Sequence, residues 1–234
     1  WTLNLRPALR FHDGESVRAK DVVASIRRFG KRDLLGQTLF NLMSEIIAVN
    51  DTQIRISLSR SFSLLPYVLA SSSSSIMPER LAQTPDNVAI KEVIGSGPFR
   101  FLPKQWISGS KVEYAKATDY VPRTEGVASN TAGPKIVHID ALKWLIIPDR
   151  ATAVAALQNN EVDGVELVDN DFIPMLRKNP RITLIKAALP SIFIMRFNHL
   201  QAPFNNVAMR RAILSVISQT DYMMAVNGAD FPEY

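Results

Sequence analysis

The chain contains no cysteine, which excludes disulfide bonds and metal sites built on thiolates. Many exported proteins lack cysteine, but so do many cytosolic ones, so this absence does not decide the compartment. No run comes near the roughly 18 apolar residues that a membrane-spanning helix requires. The three histidines, His12, His138 and His199, lack the spacing that is typical of metal sites. We therefore predict no bound metal and no other cofactor.

Sequence patterns of common enzymes are also missing. There is no Gly-x-Ser-x-Gly elbow and no His-Glu-x-x-His helix. Gly95-Ser96-Gly97 could suggest a phosphate loop, but Pro98 follows and no helix begins there, so we interpret it as a tight backbone turn. Asp163 and Glu166 could form a carboxylate pair, but a strand places residues three apart on opposite faces. We therefore predict that the protein is not an enzyme.

The length of 234 residues and the 47% share of hydrophobic side chains allow one large domain or two smaller ones. Trp1 stands directly in a strand-like segment with no signal peptide before it. The sequence then stops abruptly at Pro232-Glu233-Tyr234. We therefore expect this chain to be a piece of a longer protein, truncated at both ends.

The net charge of +5 leaves a nucleic acid or another anionic surface open as a partner. The densest basic cluster lies at the end of a predicted helix and comprises Arg27, Arg28, Lys31 and Arg32. The helix dipole alone favours cations at such a position. A nucleic-acid surface would also need aromatic stacking platforms or a known binding module, and neither is found in the sequence. We therefore interpret the cluster as a solvated basic face.

The most informative stretch runs from Arg10 to Phe29. An extended segment leads into the turn His12-Asp13-Gly14, because Gly takes positive φ freely and Asp can hydrogen-bond its own backbone. Apolar residues then recur at helical spacing from Val22 onward. We predict a strand, a turn and an amphipathic helix beginning near Val17, and we expect His12 to hold its turn through backbone hydrogen bonds.

Other segments have local patterns of their own. Residues 45–49 and 51–58 read as a β-hairpin across Asn50-Asp51. Residues 62–70 are an apolar helix candidate, provided that Pro66 falls in the first turn. The five serines from Ser71 to Ser75 follow, and taken alone they resemble a linker.

The second half of the chain indicates an α/β arrangement. Leu142 to Ile147 reads as a strand, and Asp149 is a suitable N-cap for a helix over residues 151–158. Residues 161–166 return as a short strand, which gives a βαβ-like unit. Residues 191–197 are predicted as a further strand. A helix is expected from Asn206 to Met224.

Four motifs follow one another along almost the whole chain. They are Phe11-His12-Asp13-Gly14 with Ala19-Lys20-Asp21-Val22-Val23, then Gly95-Ser96-Gly97-Pro98-Phe99, then Pro148-Asp149 through Glu161-Val162-Asp163, and finally Phe197-Asn198 with Pro203-Phe204 and Arg210-Arg211-Ala212. This ordered set closely resembles the bacterial extracellular solute-binding proteins of family 5, which serve peptide and nickel ABC importers. Two positions depart from the family's pattern: Arg18 stands where a Thr often caps the helix, and Asn160 replaces a common Gly.

The resemblance implies an α/β fold of the periplasmic-binding-protein-like II class, with two lobes of mixed sheets flanked by helices, incomplete in this chain. It implies a peripheral subdomain of lobe I over residues 1–93 and the α/β core of lobe I over residues 94–197. Residues 198–234 would then hold the hinge crossing and the start of a truncated lobe II. The two lobes of this family close over the ligand.

The resemblance also implies a function. The protein is expected to be the substrate-binding component of an ABC importer, capturing di- or oligopeptides between the lobes and delivering them to the permease subunits in the membrane. Its location would be the periplasm, or the extracellular side with a membrane tether. Nickel chelates, sugars and opines remain alternative ligands within the family. A basic binder of nucleic acid or another anionic surface and a hydrolase that uses Asp or Glu residues remain as alternatives of other classes.

Ligand contacts are inferred from the same resemblance. In relatives, the loop between the Leu-rich helix and an Ile-x-Pro-like segment faces the cleft, and here that loop carries Ser71, Ser72 and Ser73. Short hydroxyl side chains suit water-mediated contact with variable ligands. The predicted strand at residues 191–197 should enter at the cleft and lead into the hinge. The remaining predicted contacts are therefore Ser191, Phe193 and Asn198.

Overall fold

The computed structural model describes residues 1–129, 132–186 and 194–228. Within this range the chain divides into two compact units, the first spanning Trp1–Ile146 and the second beginning at Ile147. The elements of the first unit, in chain order, are β1 (Thr2–Asn4), α1 (Ala19–Arg32), α2 (Leu34–Leu42), β2 (Met43–Ala48), β3 (Gln53–Leu58), α3 (Leu65–Leu69), α4 (Glu79–Ala82), β4 (Phe99–Phe101), β5 (Lys111–Lys116) and β6 (Ala141–Leu145).

The first sheet is antiparallel, with strand order β1-β3-β2. Strands β2 and β3 form the predicted hairpin, with Ile46 opposite Ile56. Its turn is fixed by Asn50, whose Oδ1 accepts the Thr52 backbone N–H at 2.9 Å. Because side chains alternate across a strand, the hairpin's apolar residues share one face of the sheet. That face forms the floor of a hydrophobic core.

Helices α1 and α2 cover this face and complete the core. The buried residues of the cluster are Ala19, Val22, Val23, Ile26, Phe29, Leu39, Ile46, Ile54, Ile56, Leu65 and Val68. The two helices approach closely at Gly36, where a Cβ would lie 2.4 Å from the Phe29 carbonyl oxygen. A larger residue at this position would have to displace backbone, so glycine permits the close packing. The predicted amphipathic helix is confirmed.

The second sheet has strand order β4-β5-β6 and is also antiparallel. One face carries Phe101, Tyr114 and Leu142, which are neighbours across the three strands. The Phe101 ring also meets the Trp106 ring edge-on, with the ring centroids 6.2 Å apart. The other face is polar. It carries Lys111 and Glu113, and the Glu113 carboxylate lies 2.8 Å from the Lys111 ammonium. This sheet is therefore amphipathic, as the alternation of its strands dictates.

The longer regular elements described in the second unit are all helices. Its helices are α5 (Arg150–Gln158), α6 (Ile173–Arg177), α7 (Val207–Val216) and α8 (Gln219–Asn227). Asp149 caps α5 as predicted, accepting the Thr152 N–H at 2.7 Å, and the hydrogen bonds from Thr152 lower the pKa of the Asp149 carboxyl. Asn160, just after α5, has φ of +60°, a left-handed conformation that Asn tolerates better than most residues. This explains how Asn replaces Gly there.

Three sequence predictions for the second half were wrong. Residues 161–166 form no strand, and neither do residues 194–197, the described part of the predicted strand at 191–197. A strand exists only where a neighbour supplies hydrogen-bond partners, and no described segment pairs with either one. The helix expected from Asn206 to Met224 is two helices, because Ile217 is extended and Ser218 starts α8 by accepting the Asp221 N–H.

Candidate functional site at the serine turn

The five serines form a compact turn between α3 and α4, and not a linker. Residues Ser72–Ser74 make one turn of 3₁₀-helix, and the Ser71 hydroxyl caps it by accepting the Ser73 N–H at 3.3 Å. Ser74 points inward, is 8% exposed, and its Oγ lies 2.8 Å from the Ser71 carbonyl oxygen. The Ser75 hydroxyl donates to the Ser72 carbonyl at 2.8 Å. Side chain to backbone bonds of this kind fix the turn.

Helix α1 holds the segment that follows the turn. The buried Ser25 hydroxyl donates to the Met77 carbonyl at 3.1 Å and accepts the Met77 N–H at 3.0 Å. The buried Asp21 carboxylate accepts two backbone N–H groups, from Glu79 through Oδ1 and from Arg18 through Oδ2, each at 2.8 Å. Asp21 therefore satisfies backbone donors at the starts of both α1 and α4, as the acidic partner of a capping box does, whereas the Arg18 side chain has no acceptor to complete the box.

The predicted serine contacts divide into two kinds. Ser71 is half-buried and is engaged in capping, whereas Ser72 and Ser73 are exposed. Among the described residues, the hydroxyls of Ser72 and Ser73 have no hydrogen-bond partner. These two hydroxyls can each donate one hydrogen bond and accept others, which is the chemistry needed for direct or water-mediated contact with a polar ligand.

The other predicted contacts lie outside the unit that holds the serine turn. Asn198 belongs to the second unit, where its Oδ1 accepts the Leu200 N–H at 3.1 Å and so closes a local Asx turn. Ser191 and Phe193 lie outside the described residues. The Asn198 side chain is thus already used by its own backbone, which the sequence alone did not indicate.

His12 joins two of the sequence motifs, a role that sequence reasoning missed. Its backbone N–H donates to the Gly95 carbonyl at 2.8 Å, and its ring Nε2 lies 2.9 Å from the Gly97 carbonyl oxygen. The Gly95 N–H donates to Nδ1 at 3.4 Å. With Nδ1 accepting from Gly95, Nε2 is the ring nitrogen that can donate to the Gly97 carbonyl. His12 does bind backbone as expected, but that of the Gly95–Gly97 segment and not of its own turn.

An ion-pair network reinforces this junction. The Arg80 guanidinium binds both carboxylate oxygens of Glu92, at 2.8 and 3.0 Å, and lies 3.5 Å from an Asp13 oxygen. The hydrogen bond from Arg80 lowers the pKa of the Glu92 carboxyl. All three side chains face solvent, so the network adds geometry more than stability. Together with His12, it fixes α4 and the Gly95–Gly97 segment against the His12-Asp13-Gly14 turn.

Much of the basic cluster on α1 is used to hold backbone. Arg28 is buried and donates to the carbonyl oxygens of Thr84, Pro85 and Val88. Arg32 donates to the Asp86 carbonyl. Two of the four cations of the cluster, Arg28 and Arg32, therefore have backbone partners within the chain and need no external anion to account for them.

Neither a metal site nor a membrane span is found in the described part of the chain. No group of three or more His, Asp or Glu side chains there is arranged to hold a metal ion. No helix in the same ranges combines the length and the apolar character required for crossing a membrane.

Comparisons with known proteins show which proteins this chain resembles. All of residues 1–234 match the model of the bacterial extracellular solute-binding proteins, family 5. The probable peptide ABC transporter periplasmic-binding protein y4tO of Sinorhizobium fredii is 36% identical over the whole chain, which covers 44% of that relative. The glutathione-binding protein GsiB of Pectobacterium atrosepticum is 29% identical over 94% of this chain and 40% of its own length.

The fold agrees with a solved structure as well. The periplasmic binding protein DppA of Helicobacter pylori, in complex with the peptide STSA, superimposes with a TM-score of 0.74 at 22% sequence identity, over 97% of this chain and 46% of that one. The chain spans less than half the length of the curated relatives it matches. The predicted α/β fold of the type II periplasmic binding proteins is confirmed, and the relatives are transport proteins and not enzymes. The chain belongs to the bacterial extracellular solute-binding proteins, family 5.

Proposed function

We propose that the protein is the substrate-binding component of an ABC importer for peptides. The observation that carries this proposal is the 36% identity to y4tO over the whole chain. A relative named for glutathione, which is itself a tripeptide, supports ligands of this size class. The protein would act in the periplasm, or tethered on the outer side of the membrane, and pass its ligand to the permease.

The proposed division of the chain follows the family resemblance. Residues 1–93 would form the peripheral subdomain of lobe I, residues 94–197 its α/β core, and residues 198–234 the crossing into lobe II. The ligand would lie between the two lobes of the full-length protein, which close over it. Proposed contacts are the hydroxyls of the serine turn, together with Ser191, Phe193 and Asn198.

The serine turn supports this assignment through its chemistry. Ser72 and Ser73 present hydroxyls from a turn closed by its own serine hydrogen bonds, and Ser25 and Asp21 fasten the segment that follows it to α1. A rigid platform with short donors and acceptors can bind peptides of different sequence through intervening water molecules.

Calorimetry on the full-length protein tests the ligand class. A pool of peptides of two to five residues should bind, whereas a nickel–histidine chelate, a sugar and an opine should not. Replacing Ser72→Ala and Ser73→Ala together should weaken peptide binding by roughly twofold to tenfold, since a lost hydrogen bond costs about 1 kcal/mol. Ser110→Ala, at another exposed serine, is the matched control. Tight binding of a non-peptide ligand alone would contradict the proposal.

A further inference from the structure

A groove of about 600 Å³ runs beside α1 in the first unit. We refer to it as the α1–α4 groove. Helix α1 forms one wall, α4 with residues 83–86 forms the other wall, and β2 forms the floor. Buried apolar residues, Val23, Ile46 and Ala82, contribute to its lining. The groove therefore combines apolar side chains with the polar and charged ones that also line it.

The rim of the groove is basic. Lys20, Arg27 and Lys31 are exposed and line it, and their spacing of seven and four residues puts them on one side of α1. The lining also includes the carboxylates of Glu79 and Asp86. Glu79 already pairs with Lys20 at 3.1 Å, which leaves an excess of positive charge.

The shape of the groove is fixed before anything binds. Arg28 and Arg32 tie the wall at residues 84–88 to α1 through backbone carbonyls. Arg27 donates one hydrogen bond to the Ile46 carbonyl at 3.1 Å and has further guanidinium N–H groups to offer. A preformed site of this kind loses little conformational entropy when a partner docks.

We propose that the α1–α4 groove docks an acidic polypeptide segment on the outer face of the permease subunits. The excess of cations around a partly apolar groove is complementary to a segment that carries both carboxylates and apolar side chains. A lipid surface would be matched by a flat basic face and not by a groove with two walls. This inference rests on the proposed function, since only a binding protein of an importer meets a permease.

The test uses the full-length protein with its permease in proteoliposomes. Lys20→Glu combined with Lys31→Glu should lower permease binding, and transport at limiting binding protein, by about tenfold or more, because rim charges control association. The peptide affinity should stay unchanged, and the melting temperature should fall only slightly, because the variant loses an exposed ion pair with Glu79 and places an anion in the last turn of α1. Lys91→Glu combined with Lys104→Glu makes the same change in net charge at exposed positions outside the groove, and it should leave permease binding intact.

Three outcomes would overturn the inference. Equal permease binding by the groove variant and the control variant would show that the lysines of the groove have no special role. Docking would then depend on net charge alone or on neither pair of lysines. A loss of peptide affinity with unchanged permease binding would make the groove part of the ligand site. Charge-dependent binding to vesicles of anionic lipid without permease, equal to that with permease, would identify a membrane contact. If the wild type neither binds peptides nor stimulates the permease, the proposed function itself fails.

Discussion

The two sheets of the first unit are built from similar antiparallel strands but are covered very differently. The first sheet packs under α1 and α2, and Ile54 and Ile56 at its centre are fully buried. In the second sheet Trp144 is 45% exposed, and no helix of the first unit packs extensively on its aromatic face. The first sheet thus obtains a core from its own neighbourhood, whereas the first unit supplies no helical cover for the second sheet.

The largest effect should come from the centre of the first sheet. Ile54→Ala removes a fully buried side chain and leaves a cavity, so it should lower the free energy of unfolding by about 2 to 5 kcal/mol. Trp144→Ala, at a half-exposed site in the second sheet, should cost clearly less even though the side chain is larger. Chemical denaturation of both variants measures the difference. A larger loss for Trp144→Ala would mean that the second sheet is the better covered one.

A smaller effect is expected where α1 holds the segment after the serine turn. Asp21→Asn turns one of two carboxylate acceptors into a donor that faces a backbone N–H, so it should cost about 1 to 3 kcal/mol. Asp33→Asn is a matched control, because Oδ1 of Asp33 alone accepts both of its N–H bonds and an amide oxygen can replace it. Equal melting temperatures of the two variants would contradict the double role of Asp21.

His12→Ala should weaken the contact between the His12-Asp13-Gly14 turn and the Gly95–Gly97 segment, which leads into the second sheet. This change removes both ring contacts to the Gly95–Gly97 segment and should cost about 1 to 2 kcal/mol. Hydrogen exchange should speed up in β4 and β5 while β3 keeps its protection. His138→Ala, at an exposed position, should change neither region. Uniform loss of protection in both sheets would show that His12 does not act as a local joint.

The smallest effect is a pH dependence on the polar face of the second sheet. The hydrogen bond from Lys111 lowers the pKa of the Glu113 carboxyl from its ordinary value of 4.5, and Lys143 adds to this. The stabilisation is present above that ordinary value and is lost as the pH falls through the lowered pKa. Carboxyl chemical shifts should report a low titration midpoint for Glu113. Glu113→Gln should flatten the acid dependence of β5 protection, and an unchanged profile would exclude this pair as its source.

Sequence reasoning succeeded where structure depends on near neighbours. The hairpin, helix α1 and the cap at Asp149 were all predicted, because turns and helix ends are decided by hydrogen bonds over a few residues. The strand prediction for residues 161–166 failed for the opposite reason. A strand needs a distant partner, and alternation alone does not supply one. The serine turn could be located from the sequence, but not the inward direction of Ser74 or the capping role of Ser71.

The sequence by itself determined the family, because its motifs keep their residue types and order, and it determined most local elements through periodicity and capping. Only the tertiary structure decided which distant backbone groups the side chains of these motifs contact. His12 meets Gly95 and Gly97 across more than 80 residues, and Asp21 meets the Glu79 N–H across 58. Such contacts depend on how the chain folds back on itself, and no local pattern encodes which backbone groups a side chain will reach.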